Sequence, residues 1–434
     1  MNFISIQEAI KKANENKEIK VALRGWIYRE RGSNNKKFIV LRDSTDIIQC
    51  VLSRENFKKQ WGDIDKLQVE SSLEIFGEIK KDKRAPTGCE VIADKINIIG
   101  FSDEFPIQKD LNEELLGDRR HLWLRSRKMT AMLKIRSTVF GALHEYFRGK
   151  GFFEFHSPLI IPGGAEEGPT LFEINYFNKK MYLTQTWQLY AEAAIYSLEK
   201  IYCIAPSFRA EKSKTSRHLT EYWHTEMEVA WANLDDIMNY GEEMIKYVIK
   251  NVLEKNKKEL ETLGRDIKKL QPSLKKKFPR ITYTDALDIL KKKKKMNVFW
   301  GKDLRTIEEE KLMELYDTPV FVTHYPKEEM AFYKPRDKEN PKTARCFDLL
   351  APENNGEIIG GSERDTDISE LKKSLKAKGE KIEDYSYYFD VHSYGAVPHG
   401  GYGLGTERLV KWICGLDSIK DAIAFPRTMT RIKP

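Results

Sequence analysis

"SFRAEKSKTSRHLTEYWHTEMEVAW", Ser207 to Trp231, crowds cations, anions, a histidine and aromatics into one run. The apolar "KIYCIAP" before it reads as a strand, and "YWHTEMEVAWA" reads as a strand that returns. A strand, a basic loop and a returning strand can hold several charges over one concave surface. Arg209 falls at the end of the first strand, where its planar fork can grip two phosphate oxygens. Arg217 and His218 lie in the loop, within reach of a more distant phosphate. Alternation on the return strand puts Tyr222, His224 and Glu226 on one face, with the Tyr222 ring available to stack under a purine. The alternative is a surface hairpin laced with ion pairs. Such pairs contribute only ~0–1 kcal/mol each, too little to account for so dense a cluster.

Downstream, "RCFDLLAPENNGEIIGGSER" (345–364) places Asp348 and Glu357 where a folded hairpin can bring them together. Hard oxygen ligands beside phosphate oxygens suit Mg²⁺. "HGGYGLGTERL" (399–409) offers Gly401, Gly403 and Gly405, where a ligand can approach the backbone, and then Arg408 at the start of a helix. This is neither a P-loop nor a dinucleotide fingerprint.

Upstream, Met132, Ile135, Val139, Leu143 and Tyr146 recur at helical steps, and Gly149 and Gly151 end the pattern. "FFEFHSPLIIP" (152–162) reads as a strand with Pro158 at an exposed or interrupted edge. "KKMYLTQT" predicts another strand and "WQLYAEAAIYSLEK" a helix. "TPVFVTHYP", "ARCFDLLAP" and "GEIIGGSERD" add strands. Antiparallel-looking strands with helices between them indicate an α+β domain rather than a parallel α/β one. Residues 235–295 read as a mostly helical, lysine-rich insert ending in "LKKKKKMN". Five consecutive lysines are a solvated face or, less commonly, a contact with a phosphate backbone.

Residues 21–99 differ from all of this. "KVALRGWIY", "KKFIVLRD", "DIIQCVLS", "SSLEIFGEIKK" and "CEVIADKINIIG" are five short strands broken by turn residues, which predicts a small barrel. Arg29, Arg31, Lys36 and Lys37 flank the second strand, with Phe38 in it and Gln49 in the next. A basic face with an aromatic suits single-stranded nucleic acid. Equally, Phe38 could be core and the lysines merely solvated. The expected division is 1–105 barrel, 106–125 linker and 126–434 catalytic domain.

The chain has 434 residues, 32% of them charged, and a net charge of +8, compatible with a polyanionic partner. Its five cysteines form no C-x-x-C pair, which suggests reduced thiols and a cytoplasmic setting. The opening "MNFISIQEAIKKANENKEIK" is charged within its first turns, which argues against a secretory leader. No apolar run is long enough to cross a membrane.

Pro158 after a long helix, "FRAE…RHLTEY" and "GLGTERL" resemble the three motifs of class II aminoacyl-tRNA synthetases, and the order barrel, linker, core resembles the aspartyl/asparaginyl/lysyl subgroup. The resemblance covers nearly the whole chain. It implies an anticodon-binding OB-fold, an antiparallel catalytic core, a homodimer formed around the Pro158 motif, ATP and Mg²⁺, and a tRNA partner. Arg209 is then placed on the ATP α-phosphate, Glu211 at the adenine end, Arg217 and His218 on the γ-phosphate, and Tyr222 and Arg408 on either face of the adenine. Gly405 belongs to the same ATP site, Asp348 and Glu357 hold Mg²⁺, and Phe38 and Gln49 contact the anticodon.

Where aspartyl enzymes resemble "QSPQLYKQ", this chain reads "QTWQLYAEA", with Ala191 at the lysine position. Glu226 stands where they have aspartate. Losing a cation and keeping a carboxylate favours asparagine, and hence the asparagine tRNA. Arg364 would hold the side-chain carbonyl, and Glu167 and Gln188 the α-amino group. Glu166 beside Glu167 leaves that ligand open, and Trp187 departs from the small residue expected in the pocket wall. An aspartyl enzyme, an asparagine synthetase on the same core and a non-catalytic RNA-binding paralogue are the rivals.

Overall fold

The computed structural model describes residues 2–15, 19–107, 112–164, 171–212 and 217–434. Two compact units, Met1–Arg119 and Arg120–Pro434, make up the chain.

The first unit contains β1 (Ile19–Gly32), β2 (Lys36–Arg42), β3 (Ile47–Ser53), β4 (Ser72–Lys81) and β5 (Cys89–Gly100). They close into a barrel in the order β1-β2-β3-β5-β4, the five-stranded fold the sequence implies. Alternation sets which face turns inward. Ile39, Leu41, Ile48, Cys50 and Leu52 are fully buried, while Phe38 and Val40 are half-buried on the other face. A one-residue slip would turn the apolar set outward. The helix Ile6–Glu15 adds Ile6, Ala9 and Ala13 to the same core. The flanking lysines are not all solvated. Lys37 is buried, and its Nζ donates to the carbonyls of Asp65 (2.9 Å) and Leu67 (2.8 Å).

The second unit continues with β6 (Phe153–Glu154), β7 (Ile160–Ile161), β8 (Glu173–Tyr176), β9 (Lys179–Leu183), β10 (Lys200–Phe208) and β11 (Glu221–Ala230). Then come β12 (Arg280–Thr282), β13 (Val320–Thr323), β14 (Cys346–Ala351), β15 (Gly356–Glu363) and β16 (His399–Gly405). Eight of these form one sheet, in the order β12-β13-β14-β15-β16-β11-β10-β6. Its middle is antiparallel, and parallel pairing is confined to β12–β13 and β10–β6 at the edges. The expected α+β architecture is therefore present.

Two expectations change. "FFEFHSPLIIP" is not one strand: β6 joins the edge of the large sheet, and β7 joins a small sheet ordered β7-β9-β8. Pro158 lies between them, where a fixed φ and a missing N–H end the ladder. Nor is 235–255 an insert. The helix Leu234–Lys255 opens with a capping box made by Asn233 and Asp236. It buries Ile237, Ile245, Val248 and Val252 in the same core as Met132, Ile135, Val139 and Leu143 of the helix Arg127–Gly149. Lys246 and Lys250 interleave with those apolar positions, so lysine content hid an ordinary amphipathic period. The run Lys291–Lys295 ends the helix Tyr283–Lys294 and is largely exposed, where the helix dipole favours cations.

The expected linker carries short helices, Glu113–Asp118 and Arg120–Trp123, and its residues 108–111 lie outside the described residues. Among the described residues no helix is long and apolar enough to cross a membrane.

Candidate active site and nucleic-acid face

β10 and β11 form a hairpin in which Ser207 faces Tyr222 and Cys203 faces Glu226. One residue beyond β10, the Arg209 N–H donates to the Thr220 carbonyl at 3.0 Å. That bond prolongs the pairing and sets the Arg209 guanidinium 5.9 Å from the centre of the Tyr222 ring. Tyr222, His224, Glu226 and Glu228 line one cavity, as alternation along β11 requires. Arg209, Glu211, Arg217, His218, Gly405 and Arg408 line the same cavity, so the sequence-predicted phosphate and adenine residues converge. Loop residues 213–216 lie outside the described residues.

Within this end, Glu211 stands 3.5 Å from His218 Nε2 and 3.8 Å from Arg209 Nη1. Burial lowers the His218 imidazole, and the Glu211 carboxylate only partly offsets it. Burial also takes His224 down to about 3, with Arg209 and Arg408 adding to the effect, so that ring is neutral. Arg217 donates to Glu310 Oε1 and the Asn354 carbonyl, both at 2.8 Å, and to Glu309 Oε2 at 3.3 Å. Sequence reasoning missed Glu309 and Glu310, which sit on the helix Thr306–Met313, a segment with no motif.

Asp348 on β14 faces Gly360 on β15, and an irregularity beside Leu350 carries Glu357 toward it. A Cβ at residue 360 would lie 2.9 Å from Glu357 Oε1 and 3.6 Å from Asp348 Oδ1. The missing side chain is what lets the two carboxylates converge. Burial drives the Asp348 carboxyl well above its usual range, and Glu357 and Asp303 add like-charge repulsion. Burial opposes ionisation of Glu357 too, but Arg408 and Arg209 outweigh it and hold that carboxyl low. Arg408 Nη1 donates to the Glu357 carbonyl (2.7 Å) and carboxylate (3.1 Å). This donor set fits Mg²⁺: hard oxygens, converging, with one carboxyl hard to ionise unless a cation is near. Among the described residues no group of three or more His, Cys, Asp or Glu could hold a metal alone, so phosphate oxygens would have to complete the shell.

At the other end Glu226 accepts from the Thr186 hydroxyl and, at 3.1 Å, from the Trp187 N–H. Burial nevertheless pushes its carboxyl up to about 7. Trp187 is buried, and its indole N–H donates to the Phe155 carbonyl at 2.8 Å. Its backbone, not only its ring, therefore serves the pocket. Arg364 Nε and Nη2 donate to the two oxygens of Glu228 (3.0 and 2.8 Å), and Nη1 donates to Ser362 Oγ (2.6 Å). Gln188 lines the cavity, and its Nε2 donates to Glu192 Oε1 at 2.9 Å.

Glu228 and Glu192 were not foreseen. Glu228 could have been, since it lies two residues beyond Glu226 on one face of a strand. Ala191 is fully buried with Trp187, Ile195, Ile201 and Cys203, and its methyl does not line the cavity, so this position brings no cation to it. Glu166 and Glu167 lie outside the described residues.

In the barrel, Val40 pairs with Gln49, and Phe38 pairs with Val51 and Arg31, so Phe38, Gln49 and Arg31 share the outer face. Phe38 is not part of the core. The Arg31 guanidinium lies 4.9 Å from its ring centre, and Gln49 Nε2 donates to Glu90 Oε2 at 2.8 Å. Trp26, 45% exposed, extends the face with Arg42 at 5.5 Å. Half-exposed rings edged by guanidinium groups are a surface on which bases can stack.

Residues 112–429 match the family model of tRNA synthetases class II (D, K and N), and residues 21–99 match the OB-fold nucleic acid binding domain. The asparagine–tRNA ligase of Thermococcus kodakarensis is 46% identical over 96% of both chains. Among solved structures, asparaginyl-tRNA synthetase from Pyrococcus horikoshii in complex with asparaginyl-adenylate is similar over 100% of both chains, with a TM-score of 0.95 and 43% identity. The Entamoeba histolytica asparaginyl-tRNA synthetase, also in complex with asparaginyl-adenylate, gives a TM-score of 0.89 at 32% identity over 100% of both chains.

Proposed function

The chain belongs to the class II tRNA synthetases for aspartate, lysine and asparagine, and we propose that it is an asparagine–tRNA ligase. It activates asparagine with ATP to the aminoacyl-adenylate, releases pyrophosphate, and transfers the asparaginyl group to the asparagine tRNA. The convergence of Arg209, Arg408, Asp348 and Glu357 on one cavity, in a chain 46% identical to an asparagine–tRNA ligase, carries this reading.

The substrate carboxylate is already ionised, so activation needs no general base. The residues' task is alignment and charge neutralisation as the carboxylate attacks the α-phosphorus. In this reading Arg209 holds the α-phosphate, and its neighbour Tyr222 stacks beneath the adenine with Arg408 above it. Glu211 serves the adenine end, and Arg217 and His218 the γ-phosphate. Asp348 and Glu357 would hold Mg²⁺, which supplies positive charge to the phosphate oxygens.

At the amino-acid end, Gln188 serves the α-amino group together with Glu167. Arg364 meets the side chain with Glu228 already on its fork, and Glu226 adds a carboxylate nearby. Such a pocket repels a second carboxylate and accepts an amide. Phe38 and Gln49 take the anticodon. Chain pairing is supported by exposed apolar side chains of the Pro158 motif: Phe153, 57% exposed on the sheet-edge strand β6, and Leu159 and Ile160 after the proline. The buried, unpaired cysteines support a reducing, cytoplasmic setting.

Charging assays on tRNA transcripts test the proposal. Asparagine should be attached to the asparagine transcript and not to the aspartate transcript. Attachment of aspartate to either would overturn it.

A further inference from the structure

Behind the amino-acid end lies a polar cluster with no exposed side chain. Glu192 is at its centre, fully buried on the helix Gln188–Leu198. Its Oε1 accepts from Gln188 Nε2 at 2.9 Å and lies 3.8 Å from Arg364 Nε. Its Oε2 accepts from the Tyr388 hydroxyl at 2.6 Å and from His399 Nε2 at 3.1 Å. His392 Nε2 stands 3.6 Å away, and its ring stacks on that of His399.

The protonation of this cluster follows from its partners. His399 Nδ1 faces the Val397 carbonyl at 2.8 Å, which can only accept, so Nδ1 carries a proton. Nε2 faces a carboxylate oxygen, which when ionised also only accepts. Both ring nitrogens are then protonated, and His399 is an imidazolium. Burial opposes that charge, yet Glu192 outweighs it and raises the imidazole pKa, while His399 and Arg364 hold Glu192 low. Burial keeps His392 neutral. Burial raises the Glu228 carboxyl and Arg364 opposes that shift, and both Glu228 oxygens accept from the Arg364 fork, as those of an ionised carboxylate do. Charge therefore alternates through the cluster: His399 positive, Glu192 negative, Arg364 positive, Glu228 negative.

Resting on the asparagine reading, we propose that Glu192 is the positioning residue that fixes Gln188 and Arg364 and withholds Arg364 from an aspartate side chain. Glu228 balances the Arg364 charge. Glu192 balances the His399 imidazolium behind it, so an incoming carboxylate meets no net positive charge. Three of the five guanidinium N–H groups are already engaged. An N–H remains on each terminal nitrogen, enough for an amide carbonyl. Tyr387 and Tyr196 also face Glu192, and neither carries charge near neutral pH.

The test compares wild type with Glu192→Gln, which keeps shape and removes charge, in ATP–pyrophosphate exchange with asparagine and with aspartate. The expected result is a roughly 10–100-fold rise in KM for asparagine, the range of a lost charged hydrogen bond, with KM for ATP within about 3-fold. The asparagine-to-aspartate preference should fall at least ~10-fold. If Glu192→Gln fails to fold, Tyr388→Phe, which deletes one hydrogen bond to Glu192, should move the same ratio in the same direction by a smaller factor. A folded variant with unchanged preference, or with kcat and both KM values lowered together, overturns the positioning role. Wild-type exchange with aspartate but not asparagine overturns the functional reading instead, so the two failures are distinguishable.

Discussion

The barrel and the catalytic unit both present a functional face on antiparallel strands, and they build it in opposite ways. In the barrel the face points outward. Phe38, Trp26 and Arg31 remain reachable, and one buried charge, Lys37, holds carbonyls and is not part of that face. In the catalytic unit the face is a floor cleared of side chains at Gly360 and Gly403, and the buried charges are themselves the site. The barrel keeps charge in water and rings half-buried, which suits stacking on many bases. The catalytic floor removes charge from water, which strengthens each interaction and leaves carboxyls such as Asp348 far from their ordinary values.

If that contrast holds, catalytic-unit substitutions should abolish adenylate chemistry, and barrel substitutions should spare it. The largest effect is expected for Arg209→Ala. Removing a preformed donor at a developing charge costs about 10²–10³-fold in ATP–pyrophosphate exchange, with the unfolding midpoint little changed. A loss below about 5-fold would remove Arg209 from the phosphate.

Glu226 offers a test by pH. Its carboxyl sits at about 7 in the fold against 4.5 ordinarily. Between those values the folded chain keeps a proton that the unfolded chain has lost. The associated stability is full below pH 4.5 and lost as pH rises through 7. Glu226→Gln cannot lose it. Denaturant titrations should show the Gln variant gaining roughly 3 kcal/mol on wild type across that window and nothing further above it. A flat difference would mean that Glu226 ionises freely.

In the barrel, Lys37→Met leaves the Asp65 and Leu67 carbonyls without their ammonium donor. About 2 kcal/mol of stability should disappear from the first unit, with exchange unaffected. Loss of exchange would deny the two units their separate roles. Smallest is Phe38→Ala, which should weaken tRNA charging by ~1–2 kcal/mol in kcat/KM and leave exchange untouched. Equal loss in both assays would point to unfolding.

The same contrast explains what the sequence could reveal. Barrel strands alternate, so inward Ile39 and Leu41 and outward Phe38 follow from period two alone. Alternation along β11 likewise placed Tyr222, His224 and Glu226 together. Legibility failed where a residue's partner lies far along the chain. Nothing local marks Glu192 as the acceptor for Tyr388 and His399, roughly 200 residues away. Arg217 reaches Glu310 across a similar gap in the fold, from a loop to a helix nearly 100 residues on. Ala191 is hard to read for another reason: Trp187 and Gln188 before it line the cavity, while its own methyl packs into the core. Composition also misled at 235–255, where lysines concealed a buried helical stripe.

ATP–pyrophosphate exchange with asparagine and with aspartate tests the assignment most directly. Asparagine should stimulate it, with kcat/KM roughly 10⁴-fold or more above that for aspartate, the discrimination available to a pocket of buried, paired polar groups. Comparable exchange with aspartate, or none with either amino acid, would contradict it.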